Sequence, residues 1–216
     1  MNPFLRRTST VKRTLRLLCL LPPALAICAL SSCGGGGGGG STGSGGSTPP
    51  VSGTVPRFAY TVSGNFNQAG VGVVSGYTVD VTTGRLRHNG YAAAEALPTA
   101  LSVDPTNRFV HVVNQGSDEV SAFRINAVTG ALTLVDTDAT GDAPVAIAVD
   151  PTGRFVYTAN RGDDSVSTYR INTSTGALTA VGAAVPADDA PAAIAVDPTG
   201  KFVFATNELS DNVSAF

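Results

Sequence analysis

The sequence predicts an all-β protein, a β-propeller built of four-stranded antiparallel blades. Three observations predict it. The segment Asp104-Pro105-Thr106-Asn107-Arg108-Phe109-Val110 returns as Asp150-Pro151-Thr152-Gly153-Arg154-Phe155-Val156 and as Asp197-Pro198-Thr199-Gly200-Lys201-Phe202-Val203. The steps are 46 residues (104 to 150) and 47 residues (150 to 197), a period that marks stacked supersecondary units. The composition agrees: 25 Gly, 13 Pro, no Trp and only 14% charged residues suit short strands and tight turns rather than amphipathic helices. A β-solenoid would need shorter coils.

One unit reads as four strands in order. Pro144 to Asp150 alternates small residues with Val and Ile, as an inner strand near the ring axis would. Asp150-Pro151-Thr152-Gly153 is a turn: Asp bonds the backbone, Pro fixes φ, and Gly tolerates positive φ. Phe155 to Asn160 is the second strand, Arg161 to Asp164 a loop, and Val166 to Ile171 the third strand. Asn172 to Gly176 is a second turn before an outer strand, Ala177 to Val181. Blades are expected at about 56–96, 97–142, 143–189 and 190–216, the last incomplete, within a propeller domain of 56–216. The first is divergent. Phe58 to Tyr77 spans 19 residues where Phe109 to Phe123 spans 14, so an insertion falls around Gly64 to Gly72. The chain stops at Val213 to Phe216, inside a third strand, after about three and a half blades. Closed rings typically hold about four to eight, so the expectation is a C-terminally truncated ring.

Residues 1–33 are a separate object. Arg6, Arg7, Lys12, Arg13 and Arg16 precede an apolar run broken by Pro22-Pro23, the pattern of a signal peptide. The run ends in Leu30-Ser31-Ser32-Cys33, which resembles a bacterial lipobox. That resemblance implies lipidation of Cys33, export to the cell envelope, and release to the outer membrane where the cell has one. The flanks of Arg6-Arg7 fit a twin-arginine signal poorly. All three cysteines (19, 28 and 33) lie at or before this point, so no disulfide, catalytic thiol or thiolate metal site is expected beyond it. Residues 34–55 are a Gly/Ser/Pro-rich linker, with a mean reach of about 25 Å for a flexible coil of that size. No strand precedes its glycine run and no helix or Lys follows it, which excludes a phosphate-binding loop. From residue 34 onward, 9 basic and 16 acidic residues give a net charge of −7, which argues against nucleic acid as a partner.

Gly-x-x-Pro, Ala-Val-Asp-Pro-Thr-Gly-Arg-Phe-Val-Tyr-x-x-Asn, Val-Ser-x-Tyr-Arg-Ile and Thr-Gly-Ala-Leu-Thr together resemble the lactonase-type seven-bladed β-propellers, among them 6-phosphogluconolactonase-like proteins. The resemblance covers about residues 57–216. The recurring Asn114, Asn160 and Asn207 also resemble the Tyr-Val-Thr-Asn repeat propellers, while the Thr-Gly-Ala-Leu-Thr turn favours the lactonase branch. Asn207-Glu208-Leu209-Ser210 resembles a family segment, but where members carry Pro-Arg-His this chain reads Pro191-Ala192-Ala193. The resemblance implies an envelope-anchored hydrolase of a lactone or related ester. The alternative is a non-catalytic propeller that binds a ligand or protein at the envelope.

Loops after the second strand and before the first open on one face of the ring. That face gathers Asp118, Glu119, Asp142, Asp163, Asp164, Asp188, Asp189, Glu208 and Asp211. No loop carries the Asp-x-Asp-x-Asp-Gly spacing of a cation site, and neither a metal nor an organic cofactor is expected. Lactone opening needs a base for water and a donor for the oxyanion. Glu208 is the catalytic candidate. Arg161, Asn160 and Asn207 are the substrate-binding candidates. His111 falls at the strand position of Tyr157 and reads as packed, and His88 reads as exposed, so no Ser-His-Asp set is expected. Arg108, Arg154 and Lys201 recur at every turn and are expected to pair with Asp104, Asp150 and Asp197.

Overall fold

The computed structural model describes residues 57–64 and 71–216; the leader, Cys33, the whole linker and the tip of the first-blade insertion lie outside them. Every regular element among the described residues is a strand, as the sequence predicts. The first sheet holds β1 (Phe58–Ser63), β2 (Val71–Val79) and β3 (Leu86–Ala96). The second holds β4 (Pro98–Val103), β5 (Phe109–Asn114), β6 (Glu119–Ile125) and β7 (Leu132–Ala139). The third holds β8 (Pro144–Val149), β9 (Phe155–Asn160), β10 (Ser165–Ile171) and β11 (Leu178–Ala180), with β12 (Val185–Pro186) also on β10. The fourth holds β13 (Pro191–Val196), β14 (Val203–Asn207) and β15 (Asn212–Ala215). All pairings run antiparallel and, apart from that of β12 with β10, join sequence neighbours, so each sheet is a meander.

The recurring aspartate closes the turn between the first two strands of a blade. Asp150 Oδ1 accepts the backbone N–H groups of Arg154 and Phe155 at 2.6 and 2.7 Å, and Oδ2 accepts the N–H and hydroxyl of Thr152. Asp104 and Asp197 do the same in their blades. Burial pushes Asp150 upward, but the bonds from Thr152, Phe155 and Arg154 outweigh it and hold the carboxyl below its usual range. At Asp197, the Thr199 hydroxyl and then the Phe202 N–H bring the carboxyl down to about 2. The fourth turn position has positive φ in all three copies, 56° at Asn107, 67° at Gly153 and 70° at Gly200, as the turn chemistry requires.

The expected pairing of Arg108, Arg154 and Lys201 with these aspartates does not occur. The acceptor positions of each carboxylate are filled by backbone N–H groups and a threonine. The arginines instead flank the phenylalanine that follows. Arg108 and Arg124 each place their guanidinium 5.2 Å from the Phe109 ring centre, and Arg154 and Arg170 flank Phe155 at 5.9 and 5.8 Å. Arg108 and Arg124 then donate to the carbonyls of Thr173, Ser174 and Thr175, in the turn of the next blade. That turn sets Gly176 against Phe109, and Gly130 meets Phe58 in the same way one blade earlier.

The core lies between blades rather than within them. One cluster joins Tyr60, Val62 and Val74 of the first sheet to Leu101, Val110, Val112 and Phe123 of the second. The next joins Val113, Val120 and Ala122 of the second sheet to Val156, Tyr169 and Leu178 of the third. Polar side chains cross the same seams. The Tyr60 hydroxyl donates to the Gly130 carbonyl at 2.8 Å, and the Tyr169 hydroxyl to the Ala139 carbonyl at 2.6 Å.

Candidate functional site

The loops after the second strands span 115–118, 161–164 and 208–211. The connections that enter blades three and four, 140–143 and 187–190, lie beside the second and third of these loops. Gln115, Arg161 and Glu208 follow the recurring asparagine in consecutive blades. Their N–H groups donate to the carbonyls of Leu97, Ala143 and Ala190, at the corners where their blades begin. They therefore occupy matching places on one face.

Arg161 and Glu208 meet there. Arg161 Nη2 lies 2.7 Å from Glu208 Oε2, the one ion pair among the described residues, and both side chains are largely exposed. The pair ties blade three to blade four while both groups stay in contact with solvent. Exposed pairs of this kind contribute about 0–1 kcal/mol, so little stability is lost if a ligand separates them.

Asn160 and Asn207 sit elsewhere. Asn160 is fully buried: its Nδ2 donates to the Ser165 and Ser167 hydroxyls at 2.9 and 2.8 Å, and its Oδ1 accepts from Thr158. Asn207 Nδ2 donates to Asn212 Oδ1 and Ser214 Oγ at 2.7 and 2.8 Å. Asn114 bonds Ser121 in the same manner. In this conformation the asparagines brace the second strand against the third, and they do not reach Arg161 or Glu208. The serine recurring in each Val-Ser pair is the partner, and its fixed phase with the asparagine is the sequence signal for the brace.

The acids of this face divide in the same way. Asp118 Oδ1 accepts the Ala143 N–H and Asp164 Oδ1 accepts the Ala190 N–H, each at 2.8 Å, across the boundary between blades. Asp118, Asp164 and Asp211 share a left-handed conformation, with φ of 55°, 53° and 51°. Their spacing follows the repeat step, which makes it a sequence signal of blade joining at Asp118 and Asp164. Asp188 accepts from Asn212. No group of three or more His, Cys, Asp or Glu side chains able to hold a metal occurs among the described residues.

A family model described as "Lactonase, 7-bladed beta-propeller" matches residues 65–149 and 141–216. The chain belongs to the seven-bladed lactonase propeller family. A comparison with curated proteins found no match. Among solved structures, a candidate 6-phosphogluconolactonase from Bacteroides uniformis superposes with a TM-score of 0.64 at 21% identity, over 74% of this chain and 46% of that one. A second candidate 6-phosphogluconolactonase, from Bacteroides fragilis, gives 0.56 at 23%, over 63% and 38%. A periplasmic gluconolactonase from Pseudomonas aeruginosa gives 0.54 at 23%, over 63% and 38%. The chain thus spans less than half the length of each, and at these identities the likeness is one of fold.

Neither histidine of this family member joins the candidate site. His88 is exposed on β3, in edge contact with Tyr77 at 5.6 Å and tilted over Tyr91 at 4.2 Å. His111 is fully buried on β5, at the position of Tyr157 and Phe204 in the following blades, and neither ring nitrogen has a protein partner. Burial pushes it down to about 4, against the opposing pull of the Asp104 carboxylate. A depressed histidine contributes full native stability above the unfolded pKa. As pH falls from 6.5 to about 4 the unfolded chain takes up a proton that the folded chain does not, and stability is lost. The loss expected from His111 is on the order of 3 kcal/mol. His111→Phe should remove this slope and raise stability at neutral pH, because it deletes an unpartnered buried N–H. Urea unfolding of both proteins across that pH range checks it; equal slopes would contradict the assignment.

Proposed function

We propose that this propeller is held at the cell envelope by lipid on Cys33 and opens a lactone, or a related ester, at the Arg161–Glu208 pair. The observation that carries the reading is the pair itself: a carboxylate and a guanidinium 2.7 Å apart, joining two blades and open to solvent. Glu208 takes a proton from water as the water oxygen bonds to the lactone carbonyl carbon. The carbonyl oxygen becomes an oxyanion, which the Arg161 guanidinium faces. Collapse breaks the ring C–O bond, and the proton passes from Glu208 to the departing alkoxide, leaving a hydroxy acid. Family membership supports this chemistry. A sugar-phosphate lactone is a cytosolic metabolite, so an exported enzyme calls for an uncharged lactone; one similar structure is named a periplasmic gluconolactonase.

A second reading, a non-catalytic binding propeller, is favoured by one observation. Asp118, Asp164, Asp188, Asn160 and Asn207 are all engaged in bonds that shape the loops. These groups are committed to the scaffold rather than to chemistry, and the family's Arg-His place reads Ala192-Ala193.

Glucono-δ-lactone opening by the full chain separates the two. Glu208→Ala should lower kcat/KM by about 100-fold or more, the usual contribution of a general base; equal rates would remove Glu208 from the mechanism. Mass spectrometry of the membrane-extracted protein should find Cys33 acylated at the new N-terminus, and an unmodified Cys33 would remove the anchor.

A further inference from the structure

The two repeat steps differ by one residue, and the structure places that residue. Asp104 to Gly130 and Asp150 to Gly176 both span 26 residues, so the extra residue follows Gly176. In the second blade, Phe123 pairs with Leu134 and Val120 with Asp138, leaving three residues (135–137) between the pairs. In the third, Tyr169 pairs with Ala180 and Val166 with Val185, leaving four (181–184). The outer strand therefore breaks into β11 and β12, and Gly182 turns the bulge with φ of 69°. Bulges of this kind bend a strand away from its partner.

Behind the bulge lies a cavity of about 250 Å³, between the outer strand of blade three and the end of blade two. Its polar lining includes Asp163, Thr140, Ser167 and Thr168, and its apolar lining includes Ala139, Ala180, Ala184 and the Tyr169 ring. No basic side chain lines it. Asp163 Oδ1 is held by the Ser165 hydroxyl at 2.7 Å, which leaves Oδ2 free of protein donors among the described residues. Ser167 Oγ is fixed by Asn160 Nδ2 at 2.8 Å. Gly141 allows the close approach of blade two: a Cβ there would sit 2.4 Å from Asp163 Oδ2 and 2.7 Å from Asn160 Nδ2.

We propose that this inter-blade cavity is a binding site for a small neutral polyol of monosaccharide size, separate from the Arg161–Glu208 pair. A lining with one carboxylate and no cation disfavours phosphates and carboxylates. Hydroxyl groups on a ligand can donate to Asp163 Oδ2 and exchange hydrogen bonds with Thr140 and Ser167. The exposed methyls of Ala139, Ala180 and Ala184 suit the C–H face of a pyranose. The volume lies below the roughly 300–1,000 Å³ of pockets for drug-sized ligands and matches one sugar ring. The extra residue thus opens a site at the seam between blades two and three.

Ligand-observed NMR titration of the full chain tests this, with methyl α-D-glucopyranoside as the probe and tetramethylammonium as the comparison. The glucoside should bind saturably. Asp163→Leu, which removes the acceptor, and Ala184→Phe, which fills the cavity from an exposed loop position, should each weaken it about tenfold or more. Ala184→Phe carries the test alone should Asp163→Leu fail to fold. Absence of saturable glucoside binding, binding of the ammonium ion in its place, or binding that the folded variants leave unchanged would overturn the proposal.

Discussion

Phe109 lies between two guanidinium groups and beneath the Gly176 turn of the next blade, and the fold depends on that contact. A four-stranded sheet in a ring has two apolar faces and cannot cover either by itself. Its neighbours must do so, and something must hold them in register. The Arg-Phe-Arg stack does this twice over. The ring presents an apolar surface to the incoming glycine, while Arg108 and Arg124 bind the carbonyls of Thr173, Ser174 and Thr175. The hydrophobic cluster of Val113, Val120, Val156 and Tyr169 spans the same seam.

The aspartate turn makes the contact possible. Its carboxylate gathers N–H groups at the start of the second strand and so fixes where Phe109 and Phe155 leave the turn. On the opposite face of the blade, Asp118 and Asp164 clasp the first residue of the following one. Blades two and three are thus fastened at both ends by residues that recur at the repeat step, and blades three and four share the aspartate clasp. The candidate site sits among these fastenings. Arg161 and Glu208 meet only because consecutive blades present matching positions side by side, so a catalytic or binding role for the pair draws directly on the scaffold's geometry.

Much of this was legible in the sequence. The repeat, its strand order, the positive-φ turn position and the burial of His111 all followed from local patterns and turn chemistry. What failed to show depended on contacts between blades. Arg154 and Asp150 are four residues apart and of opposite charge, yet the carboxylate is saturated by backbone donors that a sequence does not display. Asn160 looked available because it is polar and closes a strand, but its partners Ser165 and Ser167 lie across the ladder. The one-residue difference between repeat steps was visible as a number. Its consequence, a split outer strand and a cavity, required the register.

The most direct test of the interlock compares two glycines in the third blade. Gly176 has φ of 89°, and a Cβ there would lie 2.3 Å from the Phe109 ring. Gly182 has φ of 69°, and nothing lies within 4 Å of its Cβ position. Both alanine variants share a backbone penalty of about 1 kcal/mol. Only Gly176→Ala should add the roughly 1–3 kcal/mol of an overpacked contact, measured as a lower urea midpoint. Equal midpoints for the two variants would contradict the view that the phenylalanine–glycine contact holds the blades together.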